Sequence, residues 1–163
     1  MDYVFGPVRP AGLPRVTGLA ASTDGNCART ADGDLWCWGG VYQAATNPTV
    51  WTPTRLAGVT GVRELWSRGQ GFIVRGADGG LRAWGTNAAG GVGDGTIGHR
   101  WPPVPMSALD AIAGDVATIA GGVDHACALL RDGTVRCWGG NVRGQIGDGT
   151  LGAHALTPTA PRW

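Results

Sequence analysis

The sequence predicts an all-β protein made of three copies of one small antiparallel sheet, and three observations lead there. Glycine supplies 30 of the 163 residues, more than twice the usual ~7%, while charged residues make up 15% against a usual ~25%. All 13 basic residues are arginine and Glu64 is the single glutamate, so the chain lacks the stock for long helices. One segment recurs along the chain, and each recurrence carries an Asp-Gly pair between alternating residues, a strong hairpin signal. With 43% apolar residues the chain can still bury a core, which argues against disorder.

The recurring segment runs from Cys27 to Gly40 and again, ungapped, from Cys127 to Gly140, with a divergent copy from Ile73 to Gly85 between them. Trp38, Trp84 and Trp138 mark a period near 50 residues, and a regular period of that size decides the architecture. The pairs Asp32-Gly33, Asp78-Gly79 and Asp132-Gly133 place a tight turn in each copy. A three-residue turn ending in Gly puts Cys27 across from Cys37 and Cys127 across from Cys137. The middle copy replaces both partners together, by Ile73 and Ala83, which supports the register.

Upstream of each hairpin comes a weaker strand, at Val16–Leu19, Val62–Leu65 and Val116–Ile119. Downstream comes a glycine-rich loop, Asn87–Thr96 and Asn141–Thr150, which the first copy lacks over residues 41–51. A proline-bearing segment then closes each unit, at Thr52–Thr54, Pro102–Pro105 and Thr157–Thr159, as expected of an edge strand that cannot donate to a ladder. Each unit therefore reads as a blade of about four strands, the unit of a propeller. The blades fall at about 8–54, 55–105 and 106–159 of a single repeat domain spanning 1–163. Three blades leave open edges, near Val8 and Thr157, which must be covered or paired.

The segment Trp138 to Gly149 reads Trp-Gly-x-Asn-x-x-Gly-Gln-x-Gly-x-Gly. Together with Ile119 to Leu129 before it and the Asp132-Gly133 hairpin, it resembles the repeat of the regulator of chromosome condensation superfamily. The resemblance is specific in the third copy, good in the second and partial in the first. Kelch repeats share the period, but the Trp-Gly after the hairpin and the Asn-x-x-Gly-Gln loop favour the former. The resemblance implies a propeller usually closed by seven blades, roughly 350 residues at ~50 each, so this chain supplies less than half. It also implies a range of functions, namely nucleotide exchange on a small GTPase, chromatin binding and bacterial inhibition of β-lactamase, so fold alone does not choose among them.

Candidate sites are few. The facing pairs Cys27/Cys37 and Cys127/Cys137 suit cross-strand disulfides in an oxidising compartment, or buried thiols on an inward face. An exported setting is expected on that ground, with a cytoplasmic one as the alternative. The arginine-only, Ala/Gly-rich composition suggests a bacterial source. Zinc is not expected, because the cysteines lack the short spacing of a zinc element. Asp94 and Asp148 read as side chains capping their own turns rather than calcium ligands. His125 falls where the other copies have Gly25 and Gly71, and a structural hydrogen bond to backbone is expected of it; His99 and His154 lie in variable loops.

No catalytic constellation can be read from spacing, so neither an enzyme nor a cofactor is expected. Trp36 stands where other copies have Arg82 and Arg136, and Trp66 where they have Ala20 and Ala120. These two tryptophans, with Arg82 and Arg136, are candidate partner contacts, since Trp and Arg are enriched in hot spots. The alternative for Trp36 and Trp66 is burial against a neighbouring blade or subunit. Trp51 and Trp101 read as apolar latches between blades. Arg63, Arg68, Arg75 and Arg82 read as a solvated face, and a net charge of +1 without a basic run argues against nucleic acid. No apolar run reaches the ~18 residues of a membrane-spanning helix. The function expected is a binding scaffold for a protein partner, inhibitor-like or adhesion-like, or else a repeat that assembles with itself or with a complementing chain. A dimer closing six blades is the simplest assembly.

Overall fold

A computed structural model of the protein describes residues 9–40 and 49–162. The strands form three separate four-stranded meanders, each ordered along the chain. The first holds β1 (Val16–Ala21), β2 (Gly25–Thr30), β3 (Leu35–Gly40) and β4 (Thr49–Arg55). The second holds β5 (Glu64–Arg68), β6 (Gly71–Arg75), β7 (Leu81–Gly85) and β8 (Arg100–Pro105). A 3-10 turn over Ser107–Asp115 leads to the third, with β9 (Val116–Gly121), β10 (His125–Leu130), β11 (Val135–Gly140) and β12 (His154–Thr159). The inner strands stand side by side, β1 against β5 and β5 against β9, and the proline strands lie outermost, where a missing N–H leaves no ladder bond unmade. Val8 and the first copy's downstream loop at 41–48 lie outside the described residues.

The hairpin register is the one the cysteines predict, with Cys27 opposite Cys37, Ile73 opposite Ala83 and Cys127 opposite Cys137. The sulfurs of the two cysteine pairs stand 2.08 and 2.13 Å apart, at disulfide distance. At each Asp-Gly turn the glycine takes a φ of 81–84°, a left-handed angle that a side chain disfavours. The second inner strand starts later than expected. Val62 belongs to the preceding linker, where its N–H donates to the Gly33 carbonyl at 3.0 Å and binds blade two to the hairpin of blade one.

Side chains alternate between the two faces of each blade, so one face looks forward along the array and the other looks back. The forward face of blade one (Ala20, Cys27, Leu35, Cys37) packs on the backward face of blade two (Phe72, Val74, Trp84). The forward face of blade two (Ile73, Leu81, Ala83) packs on the backward face of blade three (Ala126, Ala128, Trp138). The repeat tryptophans of blades two and three thus dock on the blade before them. Trp84 and Trp138 are fully buried, and the Trp138 indole N–H donates to the Gly91 carbonyl at 3.0 Å.

Four expectations change here. Trp38 is half-buried rather than core, because no blade packs on its face among the described residues. Trp101 packs beside Trp84 at the first junction, as a latch should, whereas its counterpart Trp51 is 85% exposed. Arg68 and Arg75 are buried, not solvated. Finally, the His125 ring lies over Gly122, where a Cβ would come within 2.3 Å of its Cε1, and it makes no hydrogen bond to described backbone.

Candidate protein-binding end of the array

A four-stranded meander sends its first and third turns to one end and its second to the other. One end therefore gathers the inner turns at 22–24, 69–70 and 122–124 with the glycine-rich loops at 86–99 and 141–153. The other gathers the Asp-Gly turns and the linkers between blades. At the loop end the inner turns are bonded from blade to blade: Thr23 N–H donates to Gly69 O and Gly69 N–H to Gly122 O, both at 2.8 Å. The Ser67 hydroxyl adds a bond to Ala21 O at 2.7 Å. There is no room for more, since a Cβ on Gly69 would lie 2.0 Å from Val123 O. A shallow cleft of ≈ 260 Å³ opens among these turns.

The two glycine-rich loops are each built around a buried asparagine. Asn87 Nδ2 donates to Thr96 O (3.0 Å) and Gly98 O (3.1 Å), while its Oδ1 accepts from Val92 N–H at 2.8 Å. Asn141 does the same with Thr150 O (3.2 Å) and Ile146 N–H (3.1 Å). The aspartates complete the turns. Asp148 Oδ1 accepts from the Thr150 N–H (2.9 Å) and hydroxyl (2.7 Å), and both bonds hold its carboxyl below the ordinary value. Asp94 accepts the same pair from Thr96 and also an ion pair from Arg100. Burial works to raise the Asp94 carboxyl, but bonds from Arg100 and Thr96 outweigh it and leave it lowered. Both carboxylates are consumed by their own loops, as an Asx-type turn requires.

On these fixed loops stand four exposed apolar side chains: Ile97 (52%), Val123 (71%), Val142 (67%) and Leu151 (78%). The opposite end carries two ion pairs. There Arg55 holds Asp34 at 2.7 Å, and Arg82 holds Asp78 through two bonds of 3.2 and 2.6 Å. Those bonds, with one from Gly80 N–H, lower Asp78 to about 2. A cleft of ≈ 700 Å³ lies there between the linker at 57–62 and blade two, with Arg82 and Asp78 on its wall.

The residues singled out from sequence do not converge. Trp36 is half-buried on the backward face of blade one. Trp66 points into the second junction, where its indole N–H donates to Thr118 Oγ1 at 3.2 Å and Arg75 lies 5.8 Å from its ring centre. Its ring is thus engaged between blades two and three. Arg82 lines the larger cleft, and Arg136 donates to Val135 O at 2.8 Å.

Sequence reasoning missed two buried arginines, one of which binds blades together. Arg75 pairs with Glu64 and donates to Ala113 O and Val116 O, both at 2.7 Å, so it anchors the next blade's linker. Arg68 donates to Thr86 O, and burial lowers its guanidinium to about 10, so it stays charged at neutral pH. The signal available for Arg75 was Arg29, which holds its place in blade one and reaches Val62 O. Among the described residues no three His, Cys, Asp or Glu side chains gather as a metal site, and no helix is long and apolar enough to cross a membrane.

Three meanders joined through their inner strands, the second and third each docking a tryptophan on its predecessor, define a run of propeller blades. Residues 116–145 match the regulator of chromosome condensation (RCC1) repeat. That match covers the start of the third of the three blades among the described residues. The chain's fold is similar to yeast RCC1 (Prp20), solved bound to Kap60, with a TM-score of 0.74 at 19% identity over 89% of this chain. A second structure, of Prp20p from Saccharomyces cerevisiae, gives 0.75 at 19% over 94%. Human WBSCR16 gives 0.72 at 27% identity over 91%. The chain spans only 37–41% of the length of these proteins.

Proposed function

We propose that the protein is a non-enzymatic scaffold whose loop end binds another protein. The observation that carries this reading is the collection of Ile97, Val123, Val142 and Leu151 on one end of a framework whose loops are fixed by buried asparagines and inter-blade bonds. Exposed apolar residues scattered singly need no explanation, but four on one end of a rigid scaffold suit a protein contact. The carboxylates of the two glycine-rich loops, Asp94 and Asp148, are tied into their own turns, which leaves the apolar side chains of those loops to meet the partner. The yeast protein of similar fold was solved in complex with Kap60, and a second study of it concerns binding to Gsp1p and histones, which supports a protein ligand here. The two cysteine pairs suit an oxidising, extracytoplasmic bacterial setting, and there the scaffold would serve as an inhibitor or an adhesion-like module.

The test is cross-linking capture from the envelope fraction of the source organism with the wild-type chain and with a combined Ile97→Asp, Val142→Asp, Leu151→Asp variant. A protein held by the wild type, lost with that variant and kept by an Asp78→Ser control at the opposite end is the expected result. Capture that is indifferent to the loop-end substitutions overturns the reading.

A further inference from the structure

The two internal junctions follow one rule, and the two outer faces of the array break it in a matched way. At each internal junction the forward face offers an arginine to the next blade's linker: Arg29 to Val62 O, and Arg75 to Ala113 O and Val116 O. The backward face it meets carries an arginine on the third strand, Arg82 in blade two and Arg136 in blade three. The forward face of blade three has no following blade among the described residues, and at the place of Arg29 and Arg75 it carries Leu129, 41% exposed. The backward face of blade one likewise meets no blade, and at the place of Arg82 and Arg136 it carries Trp36, half-buried.

The remaining groups on the two faces also correspond. In blade two, Trp84 and Trp101 pack against the face bearing the Cys27–Cys37 pair. Trp38 and Trp51 hold those register positions in blade one: Gly39 pairs with Val50 as Gly85 pairs with Arg100. Val50 packs toward blade two, so Trp51, its neighbour in the strand, faces the other way with Trp36 and Trp38. The forward face of blade three carries the Cys127–Cys137 pair in the register of Cys27–Cys37, with Cys127 half-buried where Cys27 is fully covered. One outer face holds the tryptophans of a junction and the other holds the cystine such tryptophans cover. Both have exchanged the junction's arginine for an apolar side chain, as an interface that forms by desolvation favours.

We propose that the protein associates head to tail with a second copy of itself, the Trp36, Trp38 and Trp51 face of one protomer seating on the Leu129 and Cys127–Cys137 face of the other. Two such contacts close a ring from two copies, whereas a contact that does not close would build a filament. The inference stands apart from the loop-end reading above and uses none of its residues.

The experiment is absolute mass by light scattering over a concentration series, with the 163-residue chain and two variants, Leu129→Glu and Trp36→Arg. The wild type is expected to be a dimer. Each variant alone sets a charge against an apolar partner and is expected to dissociate, with affinity reduced about tenfold or more. Mixed in equal amounts they are expected to re-form the dimer, because one junction then pairs Glu with Arg and the other is native. Circular dichroism of each variant shows that it is folded, and the rescue on mixing could not come from a misfolded chain. A wild type that stays monomeric at every concentration, a dimer indifferent to Leu129→Glu, or folded variants that fail to re-associate on mixing would each overturn the proposal.

Discussion

Gly33, Gly79 and Gly133 close the same turn in three blades with nearly the same φ, yet a methyl group added at each meets different surroundings. At Gly79 and Gly133 it meets nothing within 4 Å. The cost of alanine there is the left-handed backbone alone, about 1–2 kcal/mol. At Gly33 the Cβ falls 2.7 Å from Val62 N and 2.9 Å from two atoms of Gly61, all backbone of the first linker. That linker must retreat, which adds about 1–3 kcal/mol of overpacking. The retreat also breaks the 3.0 Å bond from Val62 N–H to Gly33 O, worth about 1 kcal/mol more. Gly33→Ala is therefore expected to cost about 2–4 kcal/mol beyond Gly79→Ala or Gly133→Ala. For a chain of this size that is a further fall in melting temperature of roughly 5–15 °C. Thermal unfolding of the three variants followed by circular dichroism reads the difference. Equal losses at all three positions would refute the contact between the first hairpin and the second blade's linker.

Other outcomes follow from the same packing. Arg75→Met should cost about 2–4 kcal/mol in urea unfolding, because it takes the donors from the half-buried carbonyl of Ala113 and the buried one of Val116, while the exposed Arg63→Met should cost little. Asn141→Ala should remove the side-chain bonds that shape the glycine-rich loop of blade three and raise amide exchange at Ile146 without unfolding the blade. Stability should be constant from neutral pH to about 5 as far as the paired aspartates are concerned. It should fall as pH drops through 4 toward 2, because Asp78, Asp94 and Asp148 all have lowered carboxyls whose stabilisation is lost on protonation. Under limited reductant at low protein concentration, Cys127–Cys137 should open before the fully covered Cys27–Cys37, as read by mass-tagging of free thiols.

The blade itself was legible in sequence because its signals are local. The Asp-Gly turn fixes the hairpin register, and the joint replacement of Cys27/Cys37 by Ile73/Ala83 confirms which residues face one another. The prolines name the outer strand. What could not be read was set by neighbours distant in sequence. Trp38, Trp84 and Trp138 are equivalent within their blades and differ only in whether a preceding blade covers them. Arg75 looked like a surface charge because the carbonyls it binds lie 38 and 41 residues further on. Trp51 and Trp101 occupy one register position, and only the stacking order tells the exposed one from the packed one. The loop-end surface was legible only as loops on a scaffold, since nothing local marks Val123 or Leu151 as pointing outward together.

The account rests on a stacking direction in which the repeat tryptophans of blades two and three dock on the blade before them. Hydroxyl-radical footprinting of the tryptophans across a protein concentration series tests that directly. The expected result is protection of Trp84 and Trp138 at every concentration, with Trp38 and Trp51 oxidised in dilute solution and increasingly protected as the chain associates. Oxidation of Trp84 or Trp138 as readily as Trp51 in the folded protein would contradict it.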